Sequence, residues 1–406
     1  MVKQAKGFTL IELLVGLAIS LGLITTIYAV LANFDQQGRR SLGISDLRNN
    51  LTFALDILEQ RIANTGRGAV AMPNGIQGQA PAAVSNYSAL GCLLTIFGGS
   101  APPPLNPAMP RLQFAPFNAA QGNPAQGAAG SDRIDVMYGN ASMEALPARI
   151  PVGTAGNTFQ LTRYNLNVGD RVLVVQNTGA SPPPCWLTTV RAVGLPVQPM
   201  PGAEYQATVT LADAIPFSAV DIYQVHNLGP SPAIFRIQHD PATNSLQMWN
   251  LLRPVVAGVN PAILADNIVD FQVQLGLDTQ NTVTPTSPDQ IADDIIDVWT
   301  NPINMQATVG NGAQLAWPTA GLQQVKAVRV GVRARRSIPE RPPCGFSPNP
   351  LPALLPAVAA GAGGQAMPDS GIPVPMVGPG GSDPTCYRYE ARSVVIPLRG
   401  MIWSEF

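Results

Sequence analysis

An apolar run near the N-terminus constrains this chain more than any other part of its sequence. The run extends from Phe8 to Leu31, about 24 residues, with Glu12 as its only charged residue. As an α-helix it would measure about 36 Å at ~1.5 Å per residue, which is enough to cross the hydrocarbon core of a bilayer. The sequence therefore predicts a membrane-spanning helix over residues 8–31.

The residues before this run predict its orientation. Lys3 and Lys6 precede it without any acidic residue, and basic flanks favour the cytoplasmic side of a membrane. A secretory signal fits poorly, because its apolar region is shorter and its cleavage site follows that region. We therefore expect a single-pass protein whose remaining residues lie outside the cytoplasm.

Glu12 needs a partner, because a carboxylate within hydrocarbon is costly unless it is paired. One interpretation is that it lies near the start of the helix, where free N–H groups and the helix dipole stabilise negative charge. The other is that its partner is a new amine on Phe8, exposed by cleavage after Gly7. Between stacked chains, that second pairing would fix an axial register.

The segment Lys6-Gly7-Phe8-Thr9-Leu10-Ile11-Glu12-Leu13 resembles the class III leader and cleavage motif of type IV pilins and type II secretion pseudopilins. The resemblance implies that residues 1–7 are a leader, which a prepilin peptidase removes by cutting after Gly7. It also implies that the peptidase methylates the amine of Phe8, and that Glu12 helps to recruit and register subunits. It covers about the first 65 residues.

An amphipathic pattern follows the apolar run. Apolar residues recur every three or four positions, which predicts a helix face packed on the rest of the protein. Gly66 and Gly68 end the pattern. We expect one long helix over residues 8–65, with a membrane half and an amphipathic half. The apolar stripe consists of Leu47, Leu51, Leu55, Leu58 and Ile62.

The remaining residues, 66–406, form the predicted globular head. The whole chain contains 38 Gly, 40 Pro and only 12% charged residues, with 46% hydrophobic residues, which is typical of a loop-rich β-protein with a sizeable core. Two stretches rich in Pro, Gly and Ala, 69–130 and 342–384, are expected to be long loop excursions, the first of them around one short apolar segment, 90–97, that Cys92 pins. Alternating segments predict an antiparallel sheet, so the fold class is α+β. These segments lie at 132–138, 205–211 and 268–275, with a hairpin formed by 233–239 and 246–251.

One helix is expected within the head. Ser287, Pro288 and Gln290 supply helix-start signals, and an apolar stripe continues to Trp299. Four aspartates nearby invite a calcium interpretation, but helical spacing does not provide the tight oxygen-lined loop that calcium prefers. We interpret them as a solvated helix face.

The clearest strand covers residues 324–335, where valines alternate with Arg329, Arg333 and Arg335. The arginine face could contact a nucleic acid backbone or another acidic partner. The formal net charge is −1 and no aromatic residues are interleaved, so a solvated, aggregation-resistant sheet face is the favoured interpretation. Nucleic acid is an alternative partner only.

The four cysteines are Cys92, Cys185, Cys344 and Cys386, with no CxxC pair and only two histidines in the chain. A structural zinc site is therefore not expected. An even count in an exported chain suggests two disulfides, although four unrelated thiols are the alternative. Three pairings are possible. We favour Cys344–Cys386, which brackets the Pro/Gly-rich excursion, together with Cys92–Cys185.

No catalytic motif is found among the usual hydrolase, metalloprotease, phosphate-binding and dinucleotide-binding signatures. His226 and His239 lie in or beside predicted strands without a nucleophile signature. We therefore expect a non-enzyme without cofactor or metal, and a chain that is itself the substrate of the peptidase.

Short segments of the head narrow the resemblance to the PilW group of large minor pilins: 131–134, 169–170, 267–278, 325–329 and 398–399. This resemblance implies storage in the inner membrane with the head in the periplasm, followed by incorporation into an extracellular pilus. The implied partners are other minor and major pilins and the assembly platform, and the implied role is priming or tipping of the pilus for twitching motility. The alternatives are a type II secretion pseudopilin and a pilus-tip adhesin or DNA-uptake pilin.

Overall fold

The fold is seen in a computed structural model of the full chain. The residues that the structure describes are 10–66, 92–96, 112–113, 117–120, 131–140, 148–150, 156–161, 166–177, 184–198, 206–215, 222–252, 261–278, 296, 298–300, 307–309, 314–316, 325–337, 339, 355 and 386–398.

A single helix, α1, spans Leu10–Ala63 without interruption. Its end coincides with a turn in which the amide of Thr65 donates to the carbonyl of Ile62 at 3.0 Å. Gly66 then adopts a left-handed conformation with φ of 84°, which glycine accepts without steric cost. The predicted long helix is confirmed over the described residues.

The strands of the head are numbered in chain order. Their bounds are β1 Leu93–Ile96, β2 Leu112–Gln113, β3 Phe117–Ala120, β4 Arg133–Tyr138, β5 Ala148–Ile150, β6 Thr158–Leu161, β7 Arg171–Asn177, β8 Pro184–Val193, β9 Ala207–Leu211, β10 Ile222–Gly229, β11 Ala233–Asp240, β12 Ser245–Asn250, β13 Ala262–Asp266, β14 Ile268–Leu277, β15 Val298–Thr300, β16 Ala307–Val309, β17 Gln314–Ala316, β18 Val325–Arg335 and β19 Tyr389–Pro397.

These strands form three main sheets and a small hairpin. The large sheet has the order β2-β1-β8-β7-β10-β5, with β9 on β8 and β6 on β9; the middle sheet is β13-β12-β11-β4-β3. The helix-facing sheet is β15-β14-β18-β19, and β16 pairs with β17. Among the described strands, β1–β8 is the one parallel pair. The α+β class, a long helix on an antiparallel β-rich head, is confirmed.

Alternation along the strands places the middle sheet between two cores. One face of β4 carries Ile134 and Val136 into a core shared with Leu51 of α1 and Phe271 of the helix-facing sheet. The opposite face carries Met137 into a second core with residues of the large sheet. A third core lies on the other face of the large sheet. The middle sheet is covered on both sides because its strands carry buried apolar residues on both of their faces.

The expected hairpin within the middle sheet is confirmed. Strands β11 and β12 pair from Phe235↔Asn250 to Asp240↔Ser245. The Asp240 carboxylate accepts hydrogen bonds from the Ala242 amide at 3.0 Å and from the Thr243 hydroxyl at 2.8 Å. Such local acceptance by an aspartate is what stabilises a tight turn.

The excursion predicted at 69–130 needs correction: β1 lies in the expected short apolar segment, but β2 and β3 lie in the part that was predicted to be loop. Phe117 and Ala119 of β3 are buried in the core beneath α1, and β1 pairs with the centre of the large sheet. The strands are only two to four residues long, so surrounding Pro and Gly obscured their alternation. The excursion predicted at 342–384 lies outside the described residues, except for the buried Leu355.

The helix predicted to extend from Ser287 to Trp299 is wrong at its end. Val298–Thr300 is strand β15, which pairs with Leu275–Leu277 of β14. Tertiary pairing outweighs the helical spacing here, since Trp299 packs on the guanidinium of Arg329 with 4.1 Å between the carbon and the ring centroid. The rest of the predicted helix, apart from Ile296, lies outside the described residues.

Candidate assembly interface

The first half of α1 has no cover from the head. Leu10–Ala32 has a mean hydropathy of 2.2 and none of it is buried; among the described residues it is the one helix long and apolar enough to cross a membrane. Leu10 is 79% exposed and Val30 is 51% exposed. Such a surface requires lipid or other apolar helices around it.

Glu12 lies in the first turn of α1 and is solvent-exposed. At that position the helix dipole and the unpaired N–H groups of the first turn stabilise a negative charge. Gly7 and Phe8, the predicted cleavage and methylation residues, lie outside the described residues, and so does the leader. Their roles remain predictions, as does the register role of Glu12.

At Gly43, eleven residues beyond Ala32, the helix contacts the head. At ~1.5 Å per residue, this separation is about 16 Å. The Arg336 guanidinium lies directly against the helix backbone here: a Cβ on Gly43 would be 2.8 Å from its Cζ. Glycine at this position therefore allows a close approach of the head to the helix.

The second half of α1 is held mainly by apolar burial. Leu51, Leu58 and Ile62 are fully buried against the middle and helix-facing sheets. Burying a leucine or isoleucine side chain contributes about 1.5–3 kcal/mol. The predicted amphipathic face is confirmed.

Polar contacts between the head and the same half of α1 help to fix the orientation of the helix on the head. Arg48 forms an ion pair with Glu390 at 3.3 Å, and Arg392 donates to the Thr52 hydroxyl at 3.0 Å. Asn50 donates to the carbonyl of Asp266 at 2.6 Å. Since Arg48 is 60% exposed, its ion pair contributes at most about 1 kcal/mol.

A cavity of about 290 Å³ lies at the point where α1 meets the head. We call it the neck cavity. Three elements form its walls: two turns of α1, the β13–β14 junction and the end of β18. Its lining residues are Gly43, Asp46, Leu47, Asn50, Asp266, Asn267, Arg335, Arg336 and Ser337.

The arginine strand is confirmed as β18, but the expectation of a solvated arginine face is wrong. Arg333 is 2% exposed and Arg335 is 7% exposed. Cross-strand partners on β14 explain this: Asp270 lies 3.6 Å from Arg333, and Gln274 accepts a hydrogen bond from Arg329 at 3.0 Å. The face is a buried polar layer, so it is not an open surface for nucleic acid.

Both histidines have depressed pKa values because of burial. Burial lowers the pKa of His226 to about 4. Burial also lowers the pKa of His239, partly opposed by its hydrogen bond to the Ile268 carbonyl at 2.9 Å and by Asp240. Because Nε2 of His239 donates to that carbonyl, Nδ1 accepts from the Ser131 hydroxyl at 3.3 Å. This arrangement ties strand ends of two sheets together.

A disulfide joins Cys92 and Cys185, with 5.8 Å between their Cα atoms, which confirms the favoured pairing. Both side chains are buried in the core between the large and middle sheets. Cys386 is also disulfide-bonded. Cys344 lies outside the described residues, so its pairing with Cys386 stays a prediction. Within the described part of the chain, no group of three or more His, Cys, Asp or Glu residues could hold a metal ion.

Comparisons with known proteins identify the N-terminal segment. Residues 2–27 match the family described as the prokaryotic N-terminal methylation motif. A solved structure that resembles this one is a type IV-like pilin from Thermus thermophilus, with 9% identity over 58% of this chain and 89% of that chain. Its TM-score of 0.21 is too low to support a conclusion. No curated protein matches.

The methylation motif therefore runs directly into the exposed apolar helix, so the two features belong to one continuous N-terminal segment.

Proposed function

We propose that this chain is a minor type IV pilin of PilW type. The observation that carries the proposal is the continuity of the methylation motif at residues 2–27 with a helix whose apolar residues the head leaves uncovered. A helix of this kind has two environments open to it: the bilayer before assembly, and the helices of neighbouring subunits after assembly.

In this proposal the prepilin peptidase cuts after Gly7 and methylates the new amine of Phe8. The chain then stays in the inner membrane through the apolar half of α1, with the head in the periplasm. Glu12 pairs with the Phe8 amine of an adjacent subunit, because a carboxylate in an apolar bundle is costly without a cation. That pairing would select the axial register as the subunit leaves the membrane.

The packing of the head is compatible with a structural role for this chain in a filament. Its cores are closed by its own sheets, and the amphipathic half of α1 is anchored in one of them. A force applied to the helix is therefore transmitted to a folded head. The PilW assignment rests on the short segments of the head described above, and its role would be pilus priming or tipping with other minor and major pilins on the assembly platform.

The test uses mass spectrometry of the mature N-terminus together with a Glu12→Ala variant. We expect a chain that begins with methylated Phe8, and a loss of piliation and twitching in Glu12→Ala. Glu59→Ala is the matched control, because Glu59 is an exposed glutamate on the same helix outside the membrane half. An unprocessed N-terminus, or normal piliation in Glu12→Ala, would refute the proposal.

A type II secretion pseudopilin is the second candidate, because the leader motif resembles those of both classes. Deletion of the gene separates them: a pilin deletion impairs twitching, whereas a pseudopilin deletion impairs protein export. The DNA-uptake alternative loses the support of the arginine strand, since Arg333 and Arg335 are buried.

A further inference from the structure

Strand β19 forms one edge of the helix-facing sheet, and it is nine residues long. Among the described strands, β18 is its only neighbour. The other edge strands of the three main sheets have two to five residues, so β19 is the longest edge in the described part of the head. A long edge presents a row of unpaired N–H and C=O groups, which natural proteins usually protect.

The hydrogen bonds to β18 identify which backbone groups of β19 point outward. The amide of Leu398 donates to the Lys326 carbonyl at 2.8 Å, and the amide of Arg336 donates to the Arg388 carbonyl at 2.9 Å. These bonds flank the strand, and the pairing between them has no bulge. Hydrogen-bonded residues alternate along an antiparallel pair, so the even-numbered residues of β19 bond to β18 and the odd-numbered ones point away from it.

The outward backbone groups therefore belong to Ala391, Ser393 and Val395. Neighbours in this row lie about 7 Å apart, at ~3.4 Å per residue. All three residues are exposed, Val395 by 48%. The strand has no bulge and no lysine, and Pro397 comes only at its end, so these usual protections are missing along the row. Donors and acceptors at this spacing match the backbone of an extended peptide.

The two faces of β19 specify the side chains of such a peptide. On the face away from α1, the small side chains of Ala391 and Ser393 leave room for β-branched or aromatic neighbours on an added strand. On the α1 face, Arg48 and Arg392 share one carboxylate, that of Glu390, at 3.3 Å and 3.4 Å. The arginine side chains are 60% and 40% exposed. Two cations and one anion leave an excess positive charge, which favours an acidic residue on the added strand.

The direction of α1 restricts the source of the added strand. Arg48 contacts Glu390, and one turn later Thr52 accepts a hydrogen bond from Arg392, so α1 and β19 run in the same direction. Copies of this chain anchored in one membrane by the same apolar helix have parallel α1 helices, and hence parallel β19 strands. Antiparallel pairing is the more stable kind. A second copy of β19 cannot supply an antiparallel strand in that arrangement.

We propose that the free edge of β19 binds an extended segment of a different protein as an added antiparallel strand. Its backbone pairs with Ala391, Ser393 and Val395. Its apolar side chains lie on the face away from α1, and an acidic side chain lies beside Arg48 and Arg392. The inference goes beyond the pilin function and does not rest on it, because the edge is a property of the head.

Hydrogen exchange of the full chain tests the open edge directly. In the detergent-solubilised chain, the amides of Ala391, Ser393 and Val395 should exchange fast, and those of Val394 and Ile396 slowly, because only the latter bond to β18. In native membranes the three fast amides should lose their fast exchange. Slow exchange of these amides in the isolated chain, or fast exchange in both preparations, would overturn the inference.

A proline substitution separates recognition of the backbone from contact with side chains. Ala391→Pro removes one outward N–H and Ala391→Ser retains it, while proline is tolerated on the open side of an edge strand. A benzophenone probe at Ser393→Cys should form an adduct, in native membranes, with an extended segment of a different protein that carries an acidic residue. The adduct should be lost in Ala391→Pro and kept in Ala391→Ser.

Val395→Pro removes the outward N–H at the other end of the row and should act like Ala391→Pro. Slow exchange at Val394 shows that each variant keeps its pairing with β18. A probe at Ser231→Cys, in the exposed turn between β10 and β11, is the control and should not label that segment. No adduct, equal adducts from both probes, an adduct with lipid, a helix or a second copy of this chain, survival in both proline variants, or loss in Ala391→Ser would each contradict the inference.

The two proposals fail separately. If Phe8 is methylated and the chain is present in pili, but the edge amides exchange fast in membranes, the edge inference is wrong and the pilin function stands. If the edge amides are protected in membranes but the N-terminus is unprocessed, the pilin function is wrong and the edge inference stands.

Discussion

The guanidinium of Arg236 donates two hydrogen bonds to the carboxylate of Asp135, from Nε to Oδ1 at 2.7 Å and from Nη2 to Oδ2 at 2.9 Å. The two residues are direct cross-strand neighbours on β11 and β4, and both are buried. Burial alone would raise the pKa of Asp135, but the charge and hydrogen bonds of Arg236 more than offset it, so that its pKa is lowered. The pair is therefore ionised inside the head.

Asp135→Asn should destabilise the head strongly, because it leaves the Arg236 charge buried without its counter-ion. Removal of one partner of a buried pair costs about 3–5 kcal/mol. The measurement is urea unfolding of the full chain in detergent. Glu390→Gln is the matched control: it removes the partly exposed ion pairs with Arg48 and Arg392 and should cost less than about 1 kcal/mol.

The double variant Asp135→Leu with Arg236→Met tests the same explanation from the other side. Replacing both charges by apolar groups of similar volume removes the uncompensated ion, so most of the lost stability should return. Equal destabilisation by the single and double variants would show that packing, and not charge pairing, is what the site provides.

The sequence predicted the elements whose partners are local. The long helix and the β11–β12 hairpin follow from residue spacing and from Asp240 at the turn, and both are present. Alternation along β18 also predicted correctly that Val328 and Val330 face a core. For the helix and the hairpin, the contacts that decide the structure lie within one element or between neighbours in sequence.

What covers the second face of a strand could not be predicted. Arg333 was expected in solvent, yet Asp270 sits beside it and both are buried. Asp135 alternates with core residues in the same way, and its partner Arg236 lies about a hundred residues further along the chain. Sequence alternation identifies two faces of a strand, but a layered fold that buries both is visible only in three dimensions.

Leu51→Ala should weaken the docking of α1 on the head. Leu51 is fully buried between the helix and the two sheets, and a leucine-to-alanine change in a core costs about 2–5 kcal/mol. Phe53→Ala is the matched control two residues away, because Phe53 is 58% exposed and should change stability by less than about 0.5 kcal/mol. Urea unfolding monitored by tryptophan fluorescence measures both. Similar losses in the two variants would contradict the assigned helix face.

Loss of the Cys92–Cys185 disulfide should destabilise the head by about 4 kcal/mol, because the bond closes a long loop in the unfolded chain. The sequence separation is 93 residues, and β1 next to Cys92 pairs with β8 at Cys185 itself. The double variant to alanine is compared with the wild type by urea unfolding under non-reducing conditions. A loss below about 1 kcal/mol would show that β1 is held by its strand pairing alone, without a significant contribution from the bond.

His226 should make stability depend on pH in a defined window. Its side chain is buried, and burial lowers its pKa from 6.5 to about 4. Above pH 6.5 the residue is neutral in both states. Between pH 6.5 and about 4 the unfolded chain binds a proton that the folded chain does not, so stability falls as the pH falls. At about 1.4 kcal/mol per pKa unit, the total loss from this residue is about 3 kcal/mol.

The His226→Leu variant isolates this contribution. Leucine cannot bind a proton, so the variant should lose about 3 kcal/mol less than the wild type as the pH falls from 6.5 to about 4. His239, whose pKa is also lowered, acts equally in both proteins and cancels in the comparison. Urea unfolding across this pH range measures the difference. Parallel pH profiles for the two proteins would show that His226 is protonated in the folded head as readily as in the unfolded chain.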